Sequence, residues 1–184
     1  EAVRLAADVP RERAVLEAIR FVQEEVRYLA VDFGHGAGLL PNGAGTVLRR
    51  RFGDCKDKSV LLCALLRALG LHAAPVLVAS NWREAVTRLM PSTGAFSHAI
   101  VMFEFEGRRM YVDPTCIGQR GDLQHRVSPR FGVGLEVLPM TTALSEIPGE
   151  THASLCLTET FDLDARGKGR VLQELVVEGG MADD

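Results

Sequence analysis

The sequence predicts an α+β fold in which a helix with a cysteine at its N-terminus packs against an antiparallel sheet. Three stretches carry that prediction. The first is Gly53-Asp54-Cys55-Lys56-Asp57-Lys58-Ser59, a tight turn feeding the apolar run Val60–Leu69. The second is Ala-Ala-Pro-Val-Leu-Val-Ala at residues 73–79, an apolar run of strand length with Pro75 near its start or on an edge. The third is residues 97–115, which alternate about a turn as a β-hairpin does.

The 184 residues suit one domain, or one domain and part of a second. A 47% hydrophobic content supports a buried core, and a net charge of -3 offers nothing to nucleic acid. The longest basic run, Arg49-Arg50-Arg51, has no interleaved aromatics and reads as a solvated turn. No stretch reaches the roughly 18 apolar residues of a membrane span. The chain starts at Glu1 rather than Met, which reads as a fragment or processed form.

Asp8 and Pro10 open a helix to about Arg27, with Val15, Ile19, Val22 and Val26 at helical spacing. Residues 28–33 turn toward strand character. Gly34-His35-Gly36-Ala37-Gly38 then forms a loop that lacks either phosphate-binding glycine pattern, so His35 reads as a loop residue. Residues 41–51 connect to the cysteine helix. There Asp54 is a good N-cap and Asp57 resembles the far half of a capping box. Val60, Leu61, Cys63, Ala64, Leu65 and Ala68 supply the apolar positions, and Gly70 is the stop. Cys55 thus sits where free N–H groups and the helix dipole favour negative charge, which stabilises thiolate. Cys63 reads as a small core residue.

After the strand at 73–79, residues 80–94 form a long connection with Trp82 and a short helix at 83–89, of a kind that often borders a binding site. In the hairpin, a turn at Glu106-Gly107 sets Phe105 opposite Arg108, Glu104 opposite Arg109, Met102 opposite Tyr111 and Ile100 opposite Asp113. The Glu104/Arg109 charge pair supports that register. His98 and Asp113 then share one face as diagonal neighbours about 7–8 Å apart at the backbone, close enough for their side chains to meet. A one-residue slip would separate them. Pro114 ends the strand and holds the carboxylate at its tip.

Residues 118–134 read as loop and 135–140 as a short strand. Residues 151–161 and 170–177 form a second hairpin about Asp164–Gly169, the start of a further β-rich segment. The division expected is 1–145 for the core and 146–184 for that segment. The loop fails as a calcium site because its fifth position is Arg166 and its twelfth Gln173.

A thiol nucleophile needs a base and a group that orients the base. Cys55, His98 and Asp113 supply that set, with Asp113 fixing the imidazole. The Cys55 backbone N–H, with a side-chain donor from Tyr28 or Trp82, can hold an oxyanion. The same three residues are chemically able to bind zinc, though their spacing matches no common zinc motif, and no cofactor or metal is called for. Cys116 and Cys156 are able to pair, but no feature demands it.

Residues 53–59 with the helix ending Leu69-Gly70-Leu71-His72-Ala73, Phe96-Ser97-His98-Ala99-Ile100-Val101, and Tyr111-Val112-Asp113-Pro114-Thr115 together resemble the core of the transglutaminase-like superfamily. The resemblance covers roughly residues 10–118, with the three motifs in the family's order. It implies a papain-like fold with Cys55 as nucleophile, His98 as base and acid, and Asp113 as orienter. It is closest to bacterial members whose core lies between β-rich domains, and so implies flanking β-rich domains, a protein or peptide substrate, and a periplasmic or cell-envelope setting. Phe52 precedes Gly53 where crosslinking animal enzymes place a tryptophan beside the motif, and no calcium motif accompanies it. The implied activity is acyl transfer through a thioester, with water (protease or amidase) or a lysine amine (transglutaminase) as acceptor. The alternative is a catalytically inactive module of the same fold that serves protein interaction.

Overall fold

Valines and an isoleucine at helical spacing decide the first layer: Val15, Ile19, Val22 and Val26 are fully buried. In the computed structural model, which describes residues 9–29, 40–124, 126, 130–149 and 153–179, helix α1 is Arg11–Glu25. It is shorter than the span expected, because the chain turns extended at Val26. Strand β1 (Arg27–Tyr28) pairs in parallel with β2 (Phe52–Gly53). His35, its glycine loop and most of the strand expected at 28–33 lie outside the described residues.

The stretch 41–51 is not the plain connection expected. It holds helix α2 (Ala44–Arg50), which ends at Arg51 in the left-handed region with φ 59°. Two of the three arginines are not simply solvated either. Arg50 donates to the Phe52 carbonyl at 2.7 Å and to Asp57, and the Arg51 guanidinium stacks on Phe21 at 4.5 Å. These contacts of Arg50 and Arg51 fix how the chain enters the next helix.

Helix α3 (Cys55–Ala68) is the centre of the fold. Its buried stripe is Leu61, Leu62, Leu65 and Leu66, with Val60 half-buried and Ala68 exposed. Gly70, at φ 78°, closes it: Gly70 N–H donates to Arg67 and Leu71 N–H to Leu66, the paired bonds of a Schellman stop. Cys63 is core, as expected, and burial pushes its thiol up to about 12.

Beyond Gly70 runs a five-stranded antiparallel sheet of β3 (Ala73–Val78), β4 (His98–Phe105), β5 (Arg108–Val112), β6 (Gly132–Glu136) and β7 (Ser145–Ile147). Their spatial order is β5-β4-β3-β6-β7. Alternation divides β4 between two clusters. Val101, Phe103 and Phe105 join α1 and α3, whereas Ile100 and Met102 pack with Val76, Val78, Tyr111 and Ile147. The hairpin register is the expected one: Phe105 faces Arg108, Glu104 faces Arg109 and Met102 faces Tyr111. The strand expected at 135–140 starts and ends earlier, at Gly132–Glu136, because it pairs with β3 from Val76 to Val78. Residues 83–88 are a 3₁₀ helix. The last hairpin, β8 (Ala153–Leu163) and β9 (Gly169–Gly179), forms a sheet of its own. Its turn is held by Asp164, which accepts the Arg166 and Lys168 amides. No disulfide joins Cys116 to Cys156.

Candidate active site

Asp54 caps α3 as expected, its carboxylate accepting the Lys56 and Asp57 amides at 2.9 and 3.1 Å. Neither bond uses the amide of Cys55. Asp57, however, does not complete a capping box. Its buried carboxylate accepts the Asn42 amide at 2.6 Å and the Arg50 guanidinium, so it ties α2 to the start of α3. Gly53 makes this possible, since a Cβ there would lie 2.5 Å from the Cβ of Asp57. Cys55 itself is buried at the first position of α3.

The partners come from the sheet. β4 begins at His98, opposite Val78 of β3, and Ser59 Oγ donates to the Ala99 carbonyl at 3.1 Å, fastening α3 to that strand end. Asp113 follows β5 directly. His98 Nε2 and Asp113 Oδ2 are 2.7 Å apart, with both side chains largely buried. The other oxygen of Asp113 accepts the Thr115 amide at 2.8 Å and the Thr115 hydroxyl at 2.7 Å. Burial works against a charged carboxylate, but these hydrogen bonds prevail and hold the Asp113 pKa below its ordinary value. Burial likewise disfavours imidazolium. The hydrogen bond to Asp113, and the nearness of Asp113 and Cys55 as negative groups, outweigh it and raise His98 to about 9. With Nε2 committed to Asp113, Nδ1 is the ring nitrogen left for the thiol. Phe131 packs on the imidazole, ring centroids 5.7 Å apart.

Of the two side chains considered for an oxyanion, Tyr28 pairs with Gly53 across β1–β2. Burial raises its pKa first, and the negative groups Cys55, Asp54 and Asp113 add to that, which places the phenol within their electrostatic reach. Trp82 is 56% exposed before the 3₁₀ helix, and neither it nor Tyr28 lines the cleft that Cys55 and His98 share.

A family model described as the transglutaminase-like superfamily matches residues 3–114. The chain belongs to the transglutaminase-like superfamily. Two solved structures are similar to it, each at 17% identity. A putative protease from Parabacteroides distasonis aligns with a TM-score of 0.57 over 79% of this chain and 26% of its own. A putative cysteine protease from Cytophaga hutchinsonii aligns with a TM-score of 0.47 over 96% of this chain and 48% of its own. This chain therefore spans about a quarter and about half of those chains. The first likeness shows the same mixed fold of helix and antiparallel sheet. No curated protein matches.

Behind the superfamily's three motifs lies a support that sequence reading missed. Gln23, 2% exposed, donates to the Asp113 carbonyl at 2.8 Å and to Gln119 at 2.9 Å, and accepts from Arg126 at 2.8 Å. Lys58 is fully buried and donates to the Val26 and Gln23 carbonyls at 2.7 and 3.2 Å, satisfying the open end of α1. Burial lowers its pKa to about 8. Among the described residues no cluster of three potential metal ligands occurs, and no helix is long and apolar enough to cross a membrane.

Proposed function

We propose that this protein is a cysteine-dependent acyl-transfer enzyme acting on a peptide or carboxamide, with Cys55 as nucleophile, His98 as general base and acid, and Asp113 as the group that orients His98. The observation that carries this reading is that His98, held at Nε2 by Asp113 at 2.7 Å, lines one cleft with Cys55, the first residue of α3.

Cys55 Sγ, as thiolate, attacks the carbonyl carbon and the carbonyl π electrons move to oxygen. The Cys55 amide, left aside by the Asp54 cap, and the Tyr28 hydroxyl are the donors to that oxyanion. As the C–N bond breaks, His98 gives its Nδ1 proton to the departing amine, leaving a thioester. A water, deprotonated by His98, then attacks the thioester and releases the acid and the thiolate. A primary amine in place of water would give transamidation. Phe52 stands before Gly53 where crosslinking relatives carry a tryptophan, and hydrolysis is the reading adopted. The β8–β9 hairpin belongs, on this reading, to a β-rich domain that follows the core.

The test is a glutamine-containing peptide incubated with and without a primary amine. Chain cleavage or side-chain deamidation that Cys55→Ala abolishes supports hydrolysis. Amine incorporation in preference to hydrolysis would replace it with transglutamination, and no turnover of peptide or amide substrates together with an unreactive Cys55 would remove the enzyme reading.

A further inference from the structure

Beside Cys55 and His98 opens a cleft of about 860 Å³, within the size range of ligand sites. Its wall is apolar: Leu77 from β3, Val86, Leu89 and Met90 from the connection between β3 and β4, Phe96 before β4, and Leu144 before β7. Leu89 and Met90 are 38% and 84% exposed, so the apolar surface continues outward from the thiol to the lip. Large side chains of this kind next to a reactive centre mark a contact surface rather than a core.

The polar inventory of the wall points the same way. Apart from Cys55 and His98 themselves, Lys56 is the one charged residue in the lining among the described residues, and its ammonium is held at 2.6 Å by Asp54. Ser97 is taken up by Ser80, accepting the Ser80 amide at 2.9 Å and donating to its hydroxyl at 3.1 Å. Along the wall away from His98, a charged substrate side chain would lose water without gaining an opposite charge, whereas an apolar one would lose only its contact with water.

We propose that the cleft is a subsite for a bulky apolar side chain, of the leucine, phenylalanine or methionine class, next to the carbonyl that Cys55 attacks, and that it discriminates against charged residues there. The proposal rests on the reading of Cys55 as nucleophile and narrows its substrates to peptides with an apolar flank. Leu89 and Met90 are the residues that set the preference.

The test uses Cys55→Ala protein, so that binding is read without turnover, and isothermal titration with end-blocked alanine heptapeptides. Leu, Phe, Lys or Asp is placed on either side of the central peptide bond. The Leu and Phe peptides are expected to bind about 10- to 100-fold tighter than the Lys and Asp peptides. Adding Leu89→Asp or Met90→Asp should reduce that ratio below about threefold. Both positions reach the surface, and Met90→Asp, the more exposed, carries the test if Leu89→Asp does not fold. Equal affinities, no binding of the apolar peptides at millimolar concentration, or a preference unchanged in both variants would overturn the proposal. Alkylation of Cys55 in the unsubstituted protein tests the nucleophile separately, so the two failures are distinguishable.

Discussion

His98 Nε2 lies 2.7 Å from Asp113 Oδ2, at the end of the sheet where helix α3 begins with Cys55. The pair holds the imidazole at about 9 against an ordinary value of 6.5. A group raised in this way contributes stability that is complete below pH 6.5 and is lost as pH rises through about 9. Lys58, lowered to about 8 from 10.5, runs oppositely, adding stability as pH rises from about 8 toward 10.5. The direct readout is therefore NMR titration of the His98 ring. Its midpoint should lie near 9 and fall toward 6.5 in Asp113→Asn. A midpoint near 6.5 in the unsubstituted protein would contradict the pairing.

Tyr28 is the side-chain donor proposed for the oxyanion. Because Tyr28 is 43% exposed, Tyr28→Phe should leave the melting temperature within about 1–2 °C while lowering kcat by about 10²–10³-fold with little change in KM. Unchanged kcat would return the phenol to a surface role. Trp82→Phe should change neither.

Gln23 is the buried link between α1 and the backbone of Asp113. Gln23→Leu leaves the Asp113 carbonyl without its donor and should cost roughly 1–3 kcal/mol in urea unfolding. As a positioning residue it should also lower kcat more than it raises KM, and Gln23→Glu should restore less than half of the loss. Lost stability with kcat intact would make the role structural only.

Gly53 meets Asp57 where no Cβ fits. Gly53→Ala should destabilise by roughly 1–3 kcal/mol, because the clash is with a carboxylate that is itself fastened to Asn42 and Arg50. Thermal unfolding of Gly53→Ala beside Gly107→Ala checks it, since the added Cβ at Gly107 meets nothing within 4 Å and only the strain of its φ of 75° applies.

What the sequence made readable is local. The Asp54 cap, the Gly70 stop and the hairpin register that joins His98 to Asp113 each depend on a few neighbouring residues, and all three are found. What escaped is tertiary. Helix α2 carries two glycines and three arginines in or beside its seven residues, with no apolar stripe to announce it. Asp57, Lys58 and Gln23 are polar residues on helices, which periodicity assigns to solvent, yet each is buried because a distant backbone group or charge meets it there. Phe131 packs tilted against His98 across 33 positions of chain, a contact no local pattern encodes. Trp82, the only tryptophan, drew notice by its type, but the 3₁₀ helix behind it leaves the ring exposed.

The central claim is that the Cys55 thiol is activated by His98. The most direct measurement is the rate of iodoacetamide alkylation at pH 6, mapped by peptide mass spectrometry over all four cysteines. Cys55 should react at least about tenfold faster than a free thiol at that pH, and His98→Ala should remove the advantage. Alkylation of Cys55 no faster than a free thiol, with the protein folded, would contradict the account.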